Sequence, residues 1–198
     1  MENVAAKLEY PPKRSILING DIVIFKLLEK SDEAAFRIFF SQVPDHEADT
    51  LRHQVRDPKV VARWIENLDY RKVLPLVSWD EALEQIVGVS SLHLMQGVYR
   101  HIADVRIFIS KGYRRLGLGS AMIKELIEIG NRLGLYSLRA EILSENQLAI
   151  KAFRQLGFEV KCTLEGGFMT LQKSETRDVV LMTKRLQINL EEDFFYVF

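Results

Sequence analysis

The segment that most restricts the fold is Tyr113-Arg114-Arg115-Leu116-Gly117-Leu118-Gly119-Ser120, set between a strand pattern and a helix pattern. Upstream, Asp104 to Ser110 places Val105, Ile107 and Ile109 on one face, the two-residue period of a strand. Downstream, Met122, Leu126, Ile129 and Leu133 form a helical stripe, and Gly134 suits the left-handed residue that closes a helix. A strand-turn-helix with two glycines and basic residues in the turn suits a phosphate. The first turn of a helix leaves backbone N–H groups unpaired at the positive end of its dipole, and glycine lets an anion approach them. Two other phosphate loops fail on residues: a P-loop needs lysine where Leu118 stands, and a dinucleotide fingerprint needs glycine where Met122 stands.

The remaining elements follow from periodicity. Ile22 to Leu28 reads as a buried first strand, and Ser31-Asp32 can cap a helix carrying Phe36, Phe39, Phe40 and Val43 on one face. Pro44 to Arg56 is charged and expected to be loop-rich. Asp57-Pro58 then supplies a cap and a proline at the first helical position. Val73 to Ser78 and Ile86 to Leu94 read as strands, with Trp79 to Gln85 as their connection. Leu138 to Leu143 is a further strand. Leu148, Ala149, Ala152, Phe153 and Leu156 are expected to line a short helix closed by Gly157. Phe158 to Leu164 and Asp178 to Thr183 would finish the sheet, with Glu165 to Arg177 between them. Only the middle of the chain alternates strand and helix, which predicts an α/β chain with a mixed sheet and helices on both faces, not a doubly wound parallel fold.

Bulk properties exclude several classes. At 198 residues, one domain spanning 1–198 is expected, with a core of about 20–186, a short N-terminal arm and the aromatic tail Phe194-Phe195-Tyr196-Val197-Phe198. That tail would pack on its own sheet or on a second copy in a homodimer. Lys plus Arg and Asp plus Glu are both 27, so no global field draws the chain to nucleic acid or to a membrane surface. No apolar run approaches the roughly 18 residues of a membrane span, and Met1 to Arg14 lacks the apolar segment of a signal peptide. Cys162 is the single cysteine, which excludes an internal disulfide, and the four histidines lack metal-ligand spacing. No metal is expected, and a cytoplasmic location is.

A second motif runs from Asn146 to Phe158. Arg-x-x-Gly-x-Gly at Arg114 to Gly119, followed by Asn-x-x-Ala-x-x-x-Phe-x-x-x-Gly-Phe, resembles the GNAT superfamily of acetyl-CoA-dependent N-acetyltransferases. The resemblance is clearest from about Ile86 to Leu186. It implies a twisted, mostly antiparallel sheet, flanked by helices, that splays apart in its middle. It also implies transfer of an acetyl group from acetyl-CoA, the cosubstrate, to an amine of a small molecule or of a protein lysine or N-terminus.

Residue roles follow from the same resemblance. Arg114, Arg115, Leu116, Gly117, Leu118, Gly119 and Ser120 would cradle the coenzyme A diphosphate, chiefly through backbone N–H groups. The backbone of Ile107, Phe108 and Ile109 would pair with the pantetheine arm like an added strand, one N–H polarising the thioester carbonyl. Asn146 would contact the cofactor arm or simply cap its helix, for which Ser144-x-x-Gln147 offers a rival capping box. An alkyl ammonium of pKa about 10.4 costs roughly 4.6 kcal/mol to deprotonate at pH 7, so a base or a water chain must collect its proton. Glu141 matches the catalytic glutamate of ribosomal-protein N-terminal acetyltransferases, and an ordinary strand glutamate is the other reading. Relatives that carry a base on the preceding strand have it where this chain has Ala103 and Val105, with Asp104 out of phase. Phe153 replaces the tyrosine that protonates the departing thiolate. That departure keeps a second reading open, an acyl-CoA-binding module with little turnover.

Overall fold

The structure, a computed structural model, describes residues 9–171 and 174–186; the aromatic tail at 194–198 lies outside them. The strands are β1 (Lys13–Ile16), β2 (Ile22–Leu27), β3 (Val73–Asp80), β4 (Gln85–Leu94), β5 (Ile102–Ile109), β6 (Ser137–Leu143), β7 (Glu159–Met169) and β8 (Thr176–Arg185). The helices are α1 (Glu33–Ser41), α2 (Asp45–Ala48), α3 (Pro58–Glu66), α4 (Leu118–Arg132) and α5 (Gln147–Gln155). One eight-stranded sheet runs β1-β2-β3-β4-β5-β6-β8-β7. Every neighbouring pair is antiparallel except β5 and β6. The mixed sheet expected from the sequence is therefore present.

Each face of the sheet carries its own core. Val105, Leu118, Met122, Leu126, Leu138 and Phe153 belong to the cluster that buries α4 and α5. Phe36, Phe39, Phe40, Val61, Ile65 and Val77 belong to the cluster under α1 and α3. The helix ends are set locally. The Asp57 carboxylate accepts from the Lys59 N–H at 2.8 Å and Pro58 opens α3. At the other end of α4, Gly134 has φ +68°, the Gly134 N–H donates to the Asn131 carbonyl and the Leu135 N–H to the Gly130 carbonyl, each at 3.0 Å. That is the paired bonding of a left-handed helix stop.

Five expectations change. The strand expected first is the second, since β1 precedes it and pairs with it from Lys13 to Ile16. Trp79, expected in the connection between β3 and β4, belongs to β3 and pairs with Ile86. The charged segment after Pro44 contains the short helix α2. In α5 the buried side chains are Ile150 and Phe153, while Leu148 is 64% exposed. Leu148 is two positions before Ile150, about 200° around the helix, so it faces away from the stripe. The last two strands are also longer than expected: Phe168 pairs with Arg177 and Met169 with Thr176. Between Leu164 and Phe168 the register shifts, four steps on β7 against two on β8, so Gly166 and Gly167 lie in a bulge and not at the tip of the hairpin.

Candidate active site

The parallel pairing of β5 with β6 is brief. It joins Ile102 to Ser137, Ala103 to Leu138 and Asp104 to Arg139, and goes no further. Beyond those residues β5 stays with β4 as far as Ile109, while β6 stays with β8 as far as Leu143. Two strands that share a start and then follow different partners leave an opening between their facing edges. Along it, backbone N–H and C=O groups of β5 have no strand partner, which is where an extended ligand can add itself as a strand.

Ile107, Phe108 and Ile109 line this open half of β5. Ile107 and Ile109 pack toward α4, and Phe108 turns to the opposite face, edge-on to Phe39 at 5.8 Å between ring centroids. The Ile109 carbonyl already accepts from Arg114 Nε at 2.9 Å, leaving its second lone pair.

The glycine turn begins α4 as the sequence predicts. Arg115 (φ +62°) and Gly117 (φ +85°) take left-handed conformations, and Gly117 is the residue before the helix. No side chain caps it, and the first helical bond runs from the Ala121 N–H to the Gly117 carbonyl. The N–H groups of Leu118, Gly119 and Ser120 therefore point out of the helix start without intrahelical partners. A Cβ placed on Gly119 would meet only Ile107 at 3.9 Å and Ile109 at 4.0 Å, so the fold's own packing does not require glycine there. Leu116 packs at the edge of the core and Leu118 is fully buried, so the side chain of each anchors the turn. Tyr113 and Asp80 brace it from below, hydroxyl to carboxylate at 2.6 Å, and the Leu116 carbonyl accepts from the Ile18 N–H at 3.1 Å.

The two arginine side chains of the turn have different surroundings. Arg114 donates to Glu47 of α2 at 2.9 Å and sits over the Phe108 ring. Its hydrogen bonds hold the Glu47 carboxyl below the usual carboxylate range, against the opposing effect of burial. Arg115 is exposed.

Glu141 occupies the open half of β6, half-buried and ion-paired with Arg52, which lies between α2 and α3. Strand alternation places Asp104, Arg106 and Phe108 of β5 on its face, together with Ser91 and His93 of β4. Asp104 is out of phase with Ala103 and Val105, which are buried in the α4 core, and both its oxygens are taken by Arg139, at 2.6 and 3.0 Å. His93 contacts the Ser91 hydroxyl at 3.0 Å, and burial, followed by the charge of Arg106, pushes its pKa down to about 4. Arg106, Arg139 and His93 are the residues that sequence reasoning passed over. The available signal was the alternation of Asp104 and Arg106 with Ala103, Val105 and Ile107.

Asn146 caps α5, its side-chain oxygen accepting from the Ala149 N–H at 3.2 Å. The rival capping box does not form, because the Ser144 N–H is given to the Asp178 carbonyl and Gln147 Nε2 donates to the Ser144 carbonyl. Phe153 is 3% exposed and meets the Phe158 ring edge-on at 4.9 Å, a core residue in its own right. Among the described residues, no group of three or more His, Cys, Asp or Glu side chains could hold a metal ion, and no helix is long and apolar enough to cross a membrane.

A model of the acetyltransferase (GNAT) family matches residues 33–158. An L-amino acid N-acetyltransferase of Escherichia coli strain K12 is 28% identical over 165 residues, covering 82% of this chain and 97% of that protein. The ribosomal-protein-S5-alanine acetyltransferase of Vibrio fischeri superposes with a TM-score of 0.70 at 17% identity, over 82% of this chain and 92% of that one. A GNAT superfamily phosphinothricin acetyltransferase of Sinorhizobium meliloti, solved in complex with AcCoA, gives 0.69 at 18% identity, over 83% and 88%. At these identities the two structures bear on the fold.

Proposed function

This chain belongs to the acetyltransferase (GNAT) family, and from that premise we propose that acetyl-CoA and an amine meet at the opening between β5 and β6, with Glu141 as the base. The protein is an acetyl-CoA-dependent N-acetyltransferase with an amine acceptor; the residues that do the work are what is proposed. The observation that carries them is the coincidence of an open strand edge with a helix start whose first N–H groups are free.

Acetyl-CoA, when bound, supplies the activated acetyl thioester. The N–H groups of Leu118, Gly119 and Ser120 bind its diphosphate, favoured by the positive end of α4. The edge of β5 at Ile107 to Ile109 aligns its arm, and an N–H there stabilises the oxyanion that develops on attack, a contribution of about 2.7–4 kcal/mol where such a donor has been removed elsewhere. Glu141 takes the proton of the acceptor amine, directly or through water, after leaving its ion pair with Arg52. The amine nitrogen then bonds to the acetyl carbon and the thiolate departs. Phe153 carries no proton to give, and a thiol of pKa about 8.5 is a workable anionic leaving group near neutral pH. The acceptor class that best fits a relative at 28% identity is the α-amine of an amino acid. One domain spanning the chain carries the reaction, and the exposed free thiol of Cys162 suits a reducing compartment, in keeping with the cytoplasm.

Thiol release from acetyl-CoA against a panel of amines tests this. Glu141→Gln should lower kcat by about 10²–10⁴ with coenzyme A affinity unchanged. A full rate at neutral pH in that variant would remove Glu141 from the mechanism. A wild type that binds acetyl-CoA yet releases no thiol with any amine would instead describe a binding module.

A further inference from the structure

The charges on the Glu141 face of the opening do not balance. Arg52, Arg106 and Arg139 stand there with the carboxylates of Asp104 and Glu141. Both carboxylates are engaged, Asp104 by Arg139 and Glu141 by Arg52. Arg106 is the cation left over, and its Nε is buried without a hydrogen-bond partner. A buried charged donor with no acceptor is costly, so the position calls for an anion. His93 and His53 offer no counter-charge. Burial first, and then the positive charge of Arg106, pushes both below their ordinary pKa, which keeps them neutral near pH 7.

Register says where that anion lies. Arg106 is two residues past Asp104 on β5, and Glu141 is two residues past Arg139 on β6, and Asp104 and Arg139 are the last paired residues. The guanidinium and the proposed base therefore stand at matching positions on the two sides of the opening. A diphosphate of coenzyme A is not the anion, since it belongs at the start of α4, on the opposite face of the sheet. A guanidinium fork suits a carboxylate, which it can bind through two parallel hydrogen bonds.

Resting on the acetyl-transfer reading above, we propose that Arg106, assisted by Arg52, binds a carboxylate of the acceptor. The preferred acceptor then carries its acid close to its amine, as a free amino acid does. The same contact draws Arg52 from Glu141, so the acid that binds also releases the base. A peptide amino terminus, whose α-carboxyl is an amide, is a poor substrate on this arrangement.

The test compares kcat/KM for thiol release from acetyl-CoA with common L-amino acids, their α-carboxamides and short peptides, using the intact chain. The acids should exceed their carboxamides by about tenfold or more, because a site built for a charged group rejects the analogue that lacks it. Arg106→Met should abolish that preference by raising KM for the acids alone, and Arg106→Lys should keep part of it. Circular dichroism and thermal melting report on folding in each variant. Equal kcat/KM for acids and carboxamides in the wild type, or a preference for peptides, overturns the carboxylate site and leaves acetyl transfer intact. An equal fall with both sets in a folded Arg106→Met protein overturns it too. No release from any amine overturns the acetyl-transfer reading, and this inference with it.

Discussion

His93 is the residue through which pH acts most directly on the fold. Its imidazole is enclosed beside Arg106, and its pKa stands at about 4 against an ordinary 6.5; the nearby Asp104 opposes the shift without cancelling it. The unfolded chain takes up this proton near pH 6.5 and the folded chain only near pH 4. Stability is therefore full above about pH 6.5 and is lost as the pH falls toward 4, because the unfolded state binds the extra proton throughout that window. His93→Gln should flatten this part of the profile, read as melting temperature against pH from about 7 to about 4.5. An unchanged slope would locate the dependence elsewhere. The sequence foretells which face each of these residues takes, since Asp104 and Arg106 alternate with Ala103, Val105 and Ile107. It does not foretell partners. That Asp104 meets Arg139, or Glu141 meets Arg52, depends on a strand register and a loop position set by contacts distant in the chain.

At the scale of elements, the start of α4 is the most legible part of the molecule and the best place to separate binding from folding. Gly117 needs its left-handed backbone, whereas Gly119 lies in the first helical turn with room for a Cβ. Gly119→Ala should stabilise the fold by up to about 1 kcal/mol, because alanine loses less entropy in a helix. The same change puts a methyl group beside the N–H groups proposed to bind the diphosphate. It should weaken coenzyme A binding by at least about tenfold, or 1.4 kcal/mol. Calorimetry and denaturant titration on the one variant check both signs, and unchanged affinity would move the diphosphate elsewhere. Other elements were read less well, for a local reason in each case. Gly166-Gly167 has the composition of a turn, yet β7 continues through it, because Phe168 and Met169 still find partners on β8. Leu148 looks like part of an apolar stripe until the helix is seen to turn it toward solvent.

For the whole molecule, the decisive feature is an eight-stranded sheet joined across its middle by three residue pairs. Strand periodicity foretells a mixed sheet, while the opening depends on which partners β5 and β6 keep beyond Asp104 and Arg139, a matter of whole-sheet register. A ligand lying in that opening bridges the two halves. Coenzyme A at about 100 times its Kd should raise the unfolding free energy by about 2.7 kcal/mol and slow hydrogen exchange along the open half of β5 and the first turn of α4. Exchange slowed evenly over the sheet, with no excess there, would place the ligand elsewhere. The order of the strands also bears on how the chain is made. β8 is the last of them in sequence, yet it lies between β6 and β7 and supplies the whole outer ladder of the strand that carries Glu141. As the polypeptide leaves the ribosome, β7 has no place in the sheet until β8 emerges to join it to β6. The chain thus passes most of its synthesis with the far wall of the cleft unassembled. That half of the sheet closes in a late, non-local step, when the segment from Thr176 to Arg185 slots home.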